Sequence, residues 1–183
     1  MLRAAAGDVR IREVRSSDLD LYLALRGDAG TMRDLGGPQP PDRIAGSHAR
    51  EVAEVAAARA WIVVAEVRTE RGWQRAGNVS LVRHTGPEGN TSELGWMVLP
   101  SHRGRGVAGS AVRLLLGLPG AAATWDAVEA FPSTTNVASH RLCAGLGFDD
   151  LGEVEPDFAG QRFTCTRWRL EPLYLRDAVG LRP

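Results

Sequence analysis

A short strand, a glycine-rich turn and a helix follow one another between residues 93 and 118, and this run constrains the fold more than any other stretch. Residues 94–98 include Trp96 and Val98, which favour an extended backbone, so the segment predicts a strand. Pro100 has no N–H to donate and ends it. After the turn, apolar residues at helical spacing predict a helix with one buried face: Val107, Ala111, Leu114, Leu115 and Leu118.

The turn itself has the composition of an anion-binding loop. The first N–H groups of a helix lack intrahelical acceptors and lie at the positive end of the helix dipole. Gly104 and Gly106 let the backbone approach a bound group closely, and Arg103 and Arg105 add charge suited to phosphate oxygens. The sequence therefore predicts a cradle for a phosphate or a diphosphate.

Two classes of ligand fit such a cradle. Residues 104–109 read as G-x-G-x-x-G, the dinucleotide pattern, and Glu129 lies about 20 residues beyond it, where that fold places an acid. Residues 100–103 separate the first glycine from the strand, however, and the chain that follows the motif is short for a dinucleotide fold. A Walker loop is excluded because the chain contains no lysine.

Two sequence blocks resemble one family. Residues 98–108 resemble the coenzyme A diphosphate loop of the GNAT N-acetyltransferases, whose signature is Arg/Gln-x-x-Gly-x-Gly/Ala. Residues 136–148, which read NVASHRLCAGLGF, resemble the later helix of the same family. The order and separation of the two blocks strengthen the resemblance, which is nearest to the branch that acetylates ribosomal-protein N-termini. It covers the second half of the chain closely and the first half only in the order of elements.

The remaining pattern predicts a single domain, residues 1–183, of the mixed α/β (α+β) class. Short connections imply antiparallel neighbours, and the helix-length crossover between the strands at 92–98 and 124–131 implies a parallel pair. The resemblance implies a mostly antiparallel sheet with flanking helices, in which that central parallel pair splays apart. The predicted strands are 9–12, 61–67, 77–82, 92–98, 124–131, 149–154 and 163–170, with helices opening at a capping box at 17–20 and covering 42–59, 107–118 and 136–145.

Composition limits the partners. Lys+Arg and Asp+Glu both number 22, so the net charge of +0 argues against nucleic acid or an anionic membrane as a main partner. Cys143 and Cys165 fit neither a disulfide scaffold nor a metal site, and are expected to be buried. Because no signal peptide or membrane span is evident, we expect a cytoplasmic protein, and the arginine-only composition suggests a bacterial one.

The resemblance implies that acetyl-CoA, or another acyl-CoA, is the co-substrate and that an amine accepts the acyl group. No spacing of His, Cys or carboxylate residues suggests a metal site, so no metal is expected. The resemblance also implies that homodimers are common. An α-amine, with a pKa near 8, is partly neutral without help from a base, so it is easier to acylate than a lysine side chain. The implied cofactor-binding residues are Met97, Val98, Leu99, Arg103, Gly104, Arg105, Gly106, Val107, Ala108, Gly109, Asn136 and Ser139.

For catalysis, Glu93 is the first choice as general base, because it shares a strand face with Met97 and lies where family members often carry a carboxylate. A solvated glutamate is an equal alternative, and Glu129 and His84 are further candidates. Many family members place a tyrosine general acid seven residues after the asparagine, a position that Cys143 occupies here. Ser139 resembles the serine that the ribosomal-protein branch uses instead.

The acceptor side is expected at the loop 30–41 and the turn 155–160, with Asp34, Leu35 and Glu155 as substrate-binding residues. Glu153 and Asp157 make this region acidic, which suits a cationic amine, although solvated loop charges explain it equally well. Two alternatives to an acyltransferase remain at this point: a non-catalytic acyl-CoA sensor and a dinucleotide-dependent oxidoreductase.

Overall fold

The computed structural model describes residues 2–86, 89–119, 127–155, 157–158 and 161–171. In chain order its strands are β1 (Arg3–Ala6), β2 (Val9–Glu13), β3 (Ala60–Thr69), β4 (Gly72–Gly86), β5 (Gly89–Val98), β6 (Val128–Ala130), β7 (Asp149–Val154), β8 (Asp157–Phe158), β9 (Gln161–Arg162) and β10 (Cys165–Leu170). The helices are α1 (Leu19–Arg26), α2 (Ala29–Met32), α3 (Pro41–Ala56), α4 (Val107–Leu116) and α5 (Val137–Gly145). Turns of 3₁₀ helix lie at Ser16–Asp18 and Pro100–His102. No helix of the described ranges combines the length and the apolarity needed to cross a bilayer.

Eight strands form one sheet in the order β1-β2-β3-β4-β5-β6-β10-β7, and β8 and β9 form a separate small hairpin. Every described pair in the large sheet is antiparallel except β5–β6, which is parallel. The predicted mixed sheet with one central parallel pair is therefore confirmed. A dinucleotide fold needs a mainly parallel sheet, so this topology removes the oxidoreductase alternative.

Helices cover both faces of the sheet. On one face α4 buries Val107, Ala111 and Leu115 against strands β2 to β5, which forms the larger apolar core. On the other face α1 and α3 bury Tyr22, Leu25 and Ile44 against β3. Because β3 is covered on both sides, its sequence is a nearly continuous apolar run rather than an alternating one.

A buried ionic cluster ties α1 to the β2–β3 side of the sheet. The guanidinium of Arg12 donates to both carboxylate oxygens of Asp18 at 2.8 Å and to Glu66 at 3.0 Å. Asp18 is only 1% exposed and also accepts from the Arg15 amide at 2.8 Å. The capping box predicted at residues 17–20 therefore does not form as expected: the Asp18 carboxylate caps a 3₁₀ turn that starts earlier, and α1 begins at Leu19.

The other predicted elements are found with shifted ends. The final hairpin pairs β7 with β10, and α4 and α5 begin where the two sequence blocks placed them. Strand β6 covers only the end of the predicted 124–131 segment, and residues 120–126 lie outside the described part of the chain. Three short elements were not predicted: β1, α2 within the loop 30–41, and the β8–β9 hairpin next to the turn 155–160.

Candidate active site

The two edges of β5 are paired to different extents. Along the edge that faces β4, every residue of β5 has a partner. Along the edge that faces β6, the parallel register consists of two pairs, which involve Ser92 and Glu93. Beyond them the described residues give no further pairing between the two strands, so the sheet opens from Leu94 towards the end of β5.

Two hydrogen bonds identify the backbone groups that face this opening. The Ser92 amide donates to the carbonyl of Ala127, on the β6 side, at 2.9 Å, and the Leu99 amide donates towards β4 at 2.8 Å. Alternate residues of a strand direct their N–H and C=O groups to the same edge. Trp96 and Val98 therefore direct their backbone polar groups into the opening.

This parity separates the three strand residues that were expected to contact a cofactor. The backbone groups of Val98 face the opening. Met97 and Leu99 direct their backbone groups towards β4, and the Leu99 amide is already engaged with the Ala76 carbonyl. Trp96, rather than Met97 or Leu99, lies at the open edge. The sequence did not single it out, because the residues with free backbone groups can be identified only when the pairing of β5 with a neighbouring strand is known.

After β5 the chain forms a loop with unpaired amides. Gly104 and Gly106 adopt left-handed conformations, with φ of +70° and +73°, and Gly106 immediately precedes α4. No described residue accepts a hydrogen bond from the amides of residues 104–109. The first helical amide with a partner is that of Ser110, which donates to the Gly106 carbonyl at 3.0 Å. Consecutive free amides beside two arginines can bind an anion of diphosphate size.

The three glycines of the loop serve different purposes. A methyl group added at Gly104 or Gly106 would meet no atom within 4 Å, so open space lies beside both. A methyl group at Gly109 would lie 3.3 Å from Leu142 of α5 and 3.3 Å from Arg113. The first two positions favour glycine for their positive φ, and at the third a glycine allows close packing of α4 against α5.

The start of α5 is fixed by two side chains. The Asn136 carbonyl oxygen accepts from the Ser139 amide at 3.1 Å, so the predicted N-cap is confirmed. His140 lies 3.0 Å from the Ser133 carbonyl through Nε2, and its Nδ1 accepts from the Trp168 indole at 3.1 Å. These contacts hold α5 against β10 and place Ser139, which is half-buried, in the first turn.

Cys143 does not face the cleft. It is 0% exposed, belongs to the core on the α4 side, and has a thiol pKa that burial raises to about 12. A group with that pKa stays protonated and is enclosed by apolar side chains. The position that often carries a tyrosine acid is therefore part of the core in this chain.

The acidic candidates lie in different surroundings. Glu93 is half-buried at the last closed pair of β5 and β6. Burial raises the pKa of the Cys165 thiol, and the charge of Glu93 adds to this effect, so the two groups lie near each other. Glu129 is 4% exposed and accepts from Arg167 at 2.7 Å and from Arg169 at 2.9 Å. Such pairing makes Glu129 a structural ion-pair partner, and the His84 side chain lies outside the described ones.

Arg103 connects the loop to α2, at the expected acceptor side. Its Nε donates to the Val98 carbonyl at 3.1 Å, and its Nη2 donates to the Thr31 hydroxyl at 2.5 Å. Thr31 lies in α2, whose N-cap is Asp28. No local sequence pattern predicts this contact, because 72 residues separate its partners.

The predicted substrate residues lie on separate segments of the chain. Asp34 lies 3.5 Å from the Thr135 hydroxyl, just before α5, and 3.5 Å from Arg33. Leu35 is 49% exposed and Glu155 is exposed at the end of β7. The ion pair with the neighbouring Arg33 partly offsets the charge of Asp34.

The chain was compared with known proteins. The family model described as an acetyltransferase (GNAT) domain matches residues 8–149. Comparison with curated protein sequences gives no significant match.

Solved structures share the fold across nearly the whole chain. A GNAT-family acetyltransferase from Bacillus anthracis has 15% identity and a TM-score of 0.75, covering 93% of this chain and 99% of that one. A ribosomal-protein-S5-alanine acetyltransferase from Vibrio fischeri has 16% identity and a TM-score of 0.76, covering 94% and 97%. A ribosomal L7/L12 α-N-protein acetyltransferase in complex with coenzyme A has 12% identity and a TM-score of 0.75, covering 92% and 96%.

Identities this low show a common fold rather than a common substrate. The family match covers most of the chain, and it includes the strand, the glycine loop and the helix described above. The chain therefore belongs to the GNAT acetyltransferase family, as its two motif blocks predicted.

Proposed function

We propose that this protein is an N-acyltransferase that moves an acetyl or related acyl group from acyl-CoA to a primary amine. One observation carries the proposal: the edge of β5 that opens away from β6 runs directly into a loop whose amides have no acceptor in the described chain. An unpaired strand edge and an anion cradle, joined in this way, suit a ligand with an amide-bearing arm and a diphosphate.

The cradle is assigned to the diphosphate. The amides of residues 104–109 would donate to its oxygens, and the charges of Arg103 and Arg105 would add to the attraction. Support comes from the open space beside Gly104 and Gly106, where a side chain would otherwise intrude on the bound group. Ser139 and Asn136, at the start of α5, would flank the arm of the cofactor.

The thioester is assigned to the open edge of β5. The backbone groups of Trp96 and Val98 would pair with the amides of the pantetheine arm, much as a neighbouring strand would. A free strand N–H, such as that of Trp96, would then face the thioester carbonyl oxygen and stabilise the negative charge that develops there.

The reaction follows from this placement. The neutral amine attacks the thioester carbonyl carbon, so a C–N bond forms and a tetrahedral intermediate carries charge on oxygen. Collapse of the intermediate breaks the C–S bond and releases the CoA thiolate, and the amine loses a proton. Glu93, beside the point where the sheet opens, would accept that proton directly or through one water.

Ser139 is the proposed proton donor to the departing sulfur. Its half-buried hydroxyl has no hydrogen-bond partner among the described residues, whereas Cys143 is enclosed in the core. A CoA thiol with a pKa near 8.5 leaves readily as a thiolate, so this assistance need only be modest. We therefore expect a smaller loss of rate on removing Ser139 than on removing Glu93.

The acceptor is proposed to be a protein N-terminus or a small-molecule amine. It would approach beside Asp34 and Leu35 on one side and Glu155 on the other. A cytoplasmic location and a homodimer stay predictions of the sequence and the family resemblance.

A CoA-release assay tests the proposal. The panel comprises N-terminal peptides, lysine peptides, polyamines and aminoglycosides, each offered with acetyl-CoA. Release of CoA that depends on an amine supports the enzyme. Tight acetyl-CoA binding without turnover of any amine would instead favour a non-catalytic sensor, an alternative that the burial of Cys143 in the core supports.

A further inference from the structure

The side chain of Arg103 bridges two elements that the reaction must separate. It donates to the Val98 carbonyl at 3.1 Å through Nε and to the Thr31 hydroxyl at 2.5 Å through Nη2. Val98 ends the open edge of β5, and Thr31 lies on α2 at the start of the acceptor-side loop. One guanidinium therefore spans the cofactor side and the acceptor side of the cleft.

Thr31 is held in place from its other side. Its hydroxyl donates to Asp28 Oδ2 at 2.7 Å, and its amide donates to the same oxygen at 2.6 Å. These two bonds hold the pKa of the Asp28 carboxyl below its usual value, and the charge of Arg103 adds to them. The hydroxyl thus donates to Asp28 and accepts from Arg103, which fixes the direction in which Arg103 extends.

This arrangement competes with the proposed binding mode. The Val98 carbonyl belongs to the strand edge that the pantetheine arm would pair with, and Arg103 occupies it. The same guanidinium is the group that the loop would offer to the diphosphate. The guanidinium is planar and rigid, so while its Nε and Nη2 point at Val98 and Thr31 that edge of the fork cannot make a paired contact with a diphosphate.

We infer that Thr31 is a positioning residue that holds Arg103 across the open end of β5 in the free protein, and that acyl-CoA binding releases this contact. The inference rests on the proposed function. Arg103 turns to the diphosphate, the Val98 carbonyl is freed for the arm of the cofactor, and α2 loses its tie to the loop. Because Asp34 and Leu35 directly follow α2, the acceptor side loosens only after the cofactor is bound.

The sign of a mutational effect tests the inference. A contact that exists only in the free state opposes binding, so removing it must raise the affinity. Thr31→Val keeps the shape and the amide bond to Asp28 but removes the hydroxyl. We expect its dissociation constant for CoA, measured by calorimetry, to fall about threefold to tenfold, the range for one hydrogen bond of ordinary net strength.

A matched control and a second readout make the test specific. Thr69→Val removes a hydroxyl that bonds the Gly72 carbonyl in a distant turn, and it should leave the CoA affinity unchanged. Hydrogen exchange at residues 28–35 should speed up when CoA is added to the wild type. In Thr31→Val it should already be fast without CoA, and CoA should not change it.

The outcomes separate the inference from the proposed function. A wild type that binds CoA, with a Thr31→Val variant of equal or weaker affinity, overturns the positioning role alone. Slower exchange at residues 28–35 on CoA addition would also overturn it. A wild type that binds no CoA would refute both the proposed function and this inference.

Discussion

The two edges of β5 contrast within one strand. The β4 edge is paired at ten positions, from Gly77 to Gly86 of the partner strand. The β6 edge is paired at two. Both edges belong to one strand, so the preference of that segment for extended structure cannot account for the difference.

The cause lies in the neighbouring segment. Strand β6 contains three residues, and its last pair with β5 is that of Glu129 with Glu93. The chain then turns towards β10: the Thr166 amide donates to the Pro132 carbonyl at 3.0 Å, and Ser133 pairs with Cys165. The contrast teaches that a strand acquires a ligand-binding edge when its neighbour ends early.

The largest effect is expected at the loop that follows the open edge. Gly106→Trp should abolish CoA binding, because the new side chain fills the space beside the free amides. The fold should lose only about 1–2 kcal/mol, the cost of a side chain at positive φ. Gly7→Trp is the matched control, since Gly7 also has a positive φ and open surroundings but lies in the β1–β2 turn. Calorimetry with CoA would contradict the site if Gly106→Trp bound normally.

The next effect distinguishes the two carboxylates at the closed end of the cleft. Glu93→Gln should lower kcat about 100-fold, the lower range for a general base, with little change in the melting temperature. Glu129→Gln should instead destabilise the fold by about 1–3 kcal/mol, because it replaces the ion pairs with Arg167 and Arg169 by weaker hydrogen bonds. Profiles of kcat against pH measure the effect on catalysis, and thermal unfolding measures the effect on stability. Equal loss of rate in the two variants would remove Glu93 as the specific base.

A third substitution attacks the paired edge. A methyl group at Gly77 would lie well inside contact distance of the Met97 carbonyl oxygen, a backbone atom that cannot move independently. Gly77→Ala should therefore destabilise the protein by about 2–3 kcal/mol in urea unfolding. Gly46→Ala, on α3 with its nearest neighbour at 3.7 Å, should be neutral or slightly stabilising. A tolerated Gly77→Ala would show that the β4 edge is less rigid than described.

The smallest effect concerns the buried ionic cluster of Arg12, Asp18 and Glu66 on the β2–β3 side of the sheet. Burial raises the pKa of Asp18, but the bonds from Arg12 and the Arg15 amide outweigh it and hold the pKa below the usual 3.8. A depressed pKa gives stability that is present above about pH 3.8 and is lost as the pH falls through the folded-state value. Asp18→Asn should lower the free energy of unfolding by about 1–2 kcal/mol at neutral pH. The stability of this variant should also fall less steeply at acid pH than that of the wild type. If stability falls equally steeply at acid pH in both proteins, the loss must come from other carboxylates.

Sequence alone could predict the parts that depend on local chemistry. The glycine loop, the Asn136 cap, the parallel pair and the final hairpin all follow from residue types and connection lengths. Strand β1 could not be predicted, because Arg3–Ala6 is alanine-rich and becomes a strand only by pairing with β2.

The remaining features depend on long-range register. Which β5 amides are free is set by one bond between Ser92 and Ala127, and the bridge from Arg103 to Thr31 joins distant segments. The inward orientation of Cys143 likewise follows from how α5 packs against α4, and not from its spacing after Asn136.

The burial of both cysteines has a practical consequence for enzymology. Cys143 and Cys165 are 0% and 7% exposed, so neither is open to a thiol-reactive dye in the native protein. Released CoA, whose thiol ionises near pH 8.5, would react freely with the dye. A continuous colorimetric readout of turnover should therefore start from a flat baseline, and a rising signal without acyl-CoA would report unfolding.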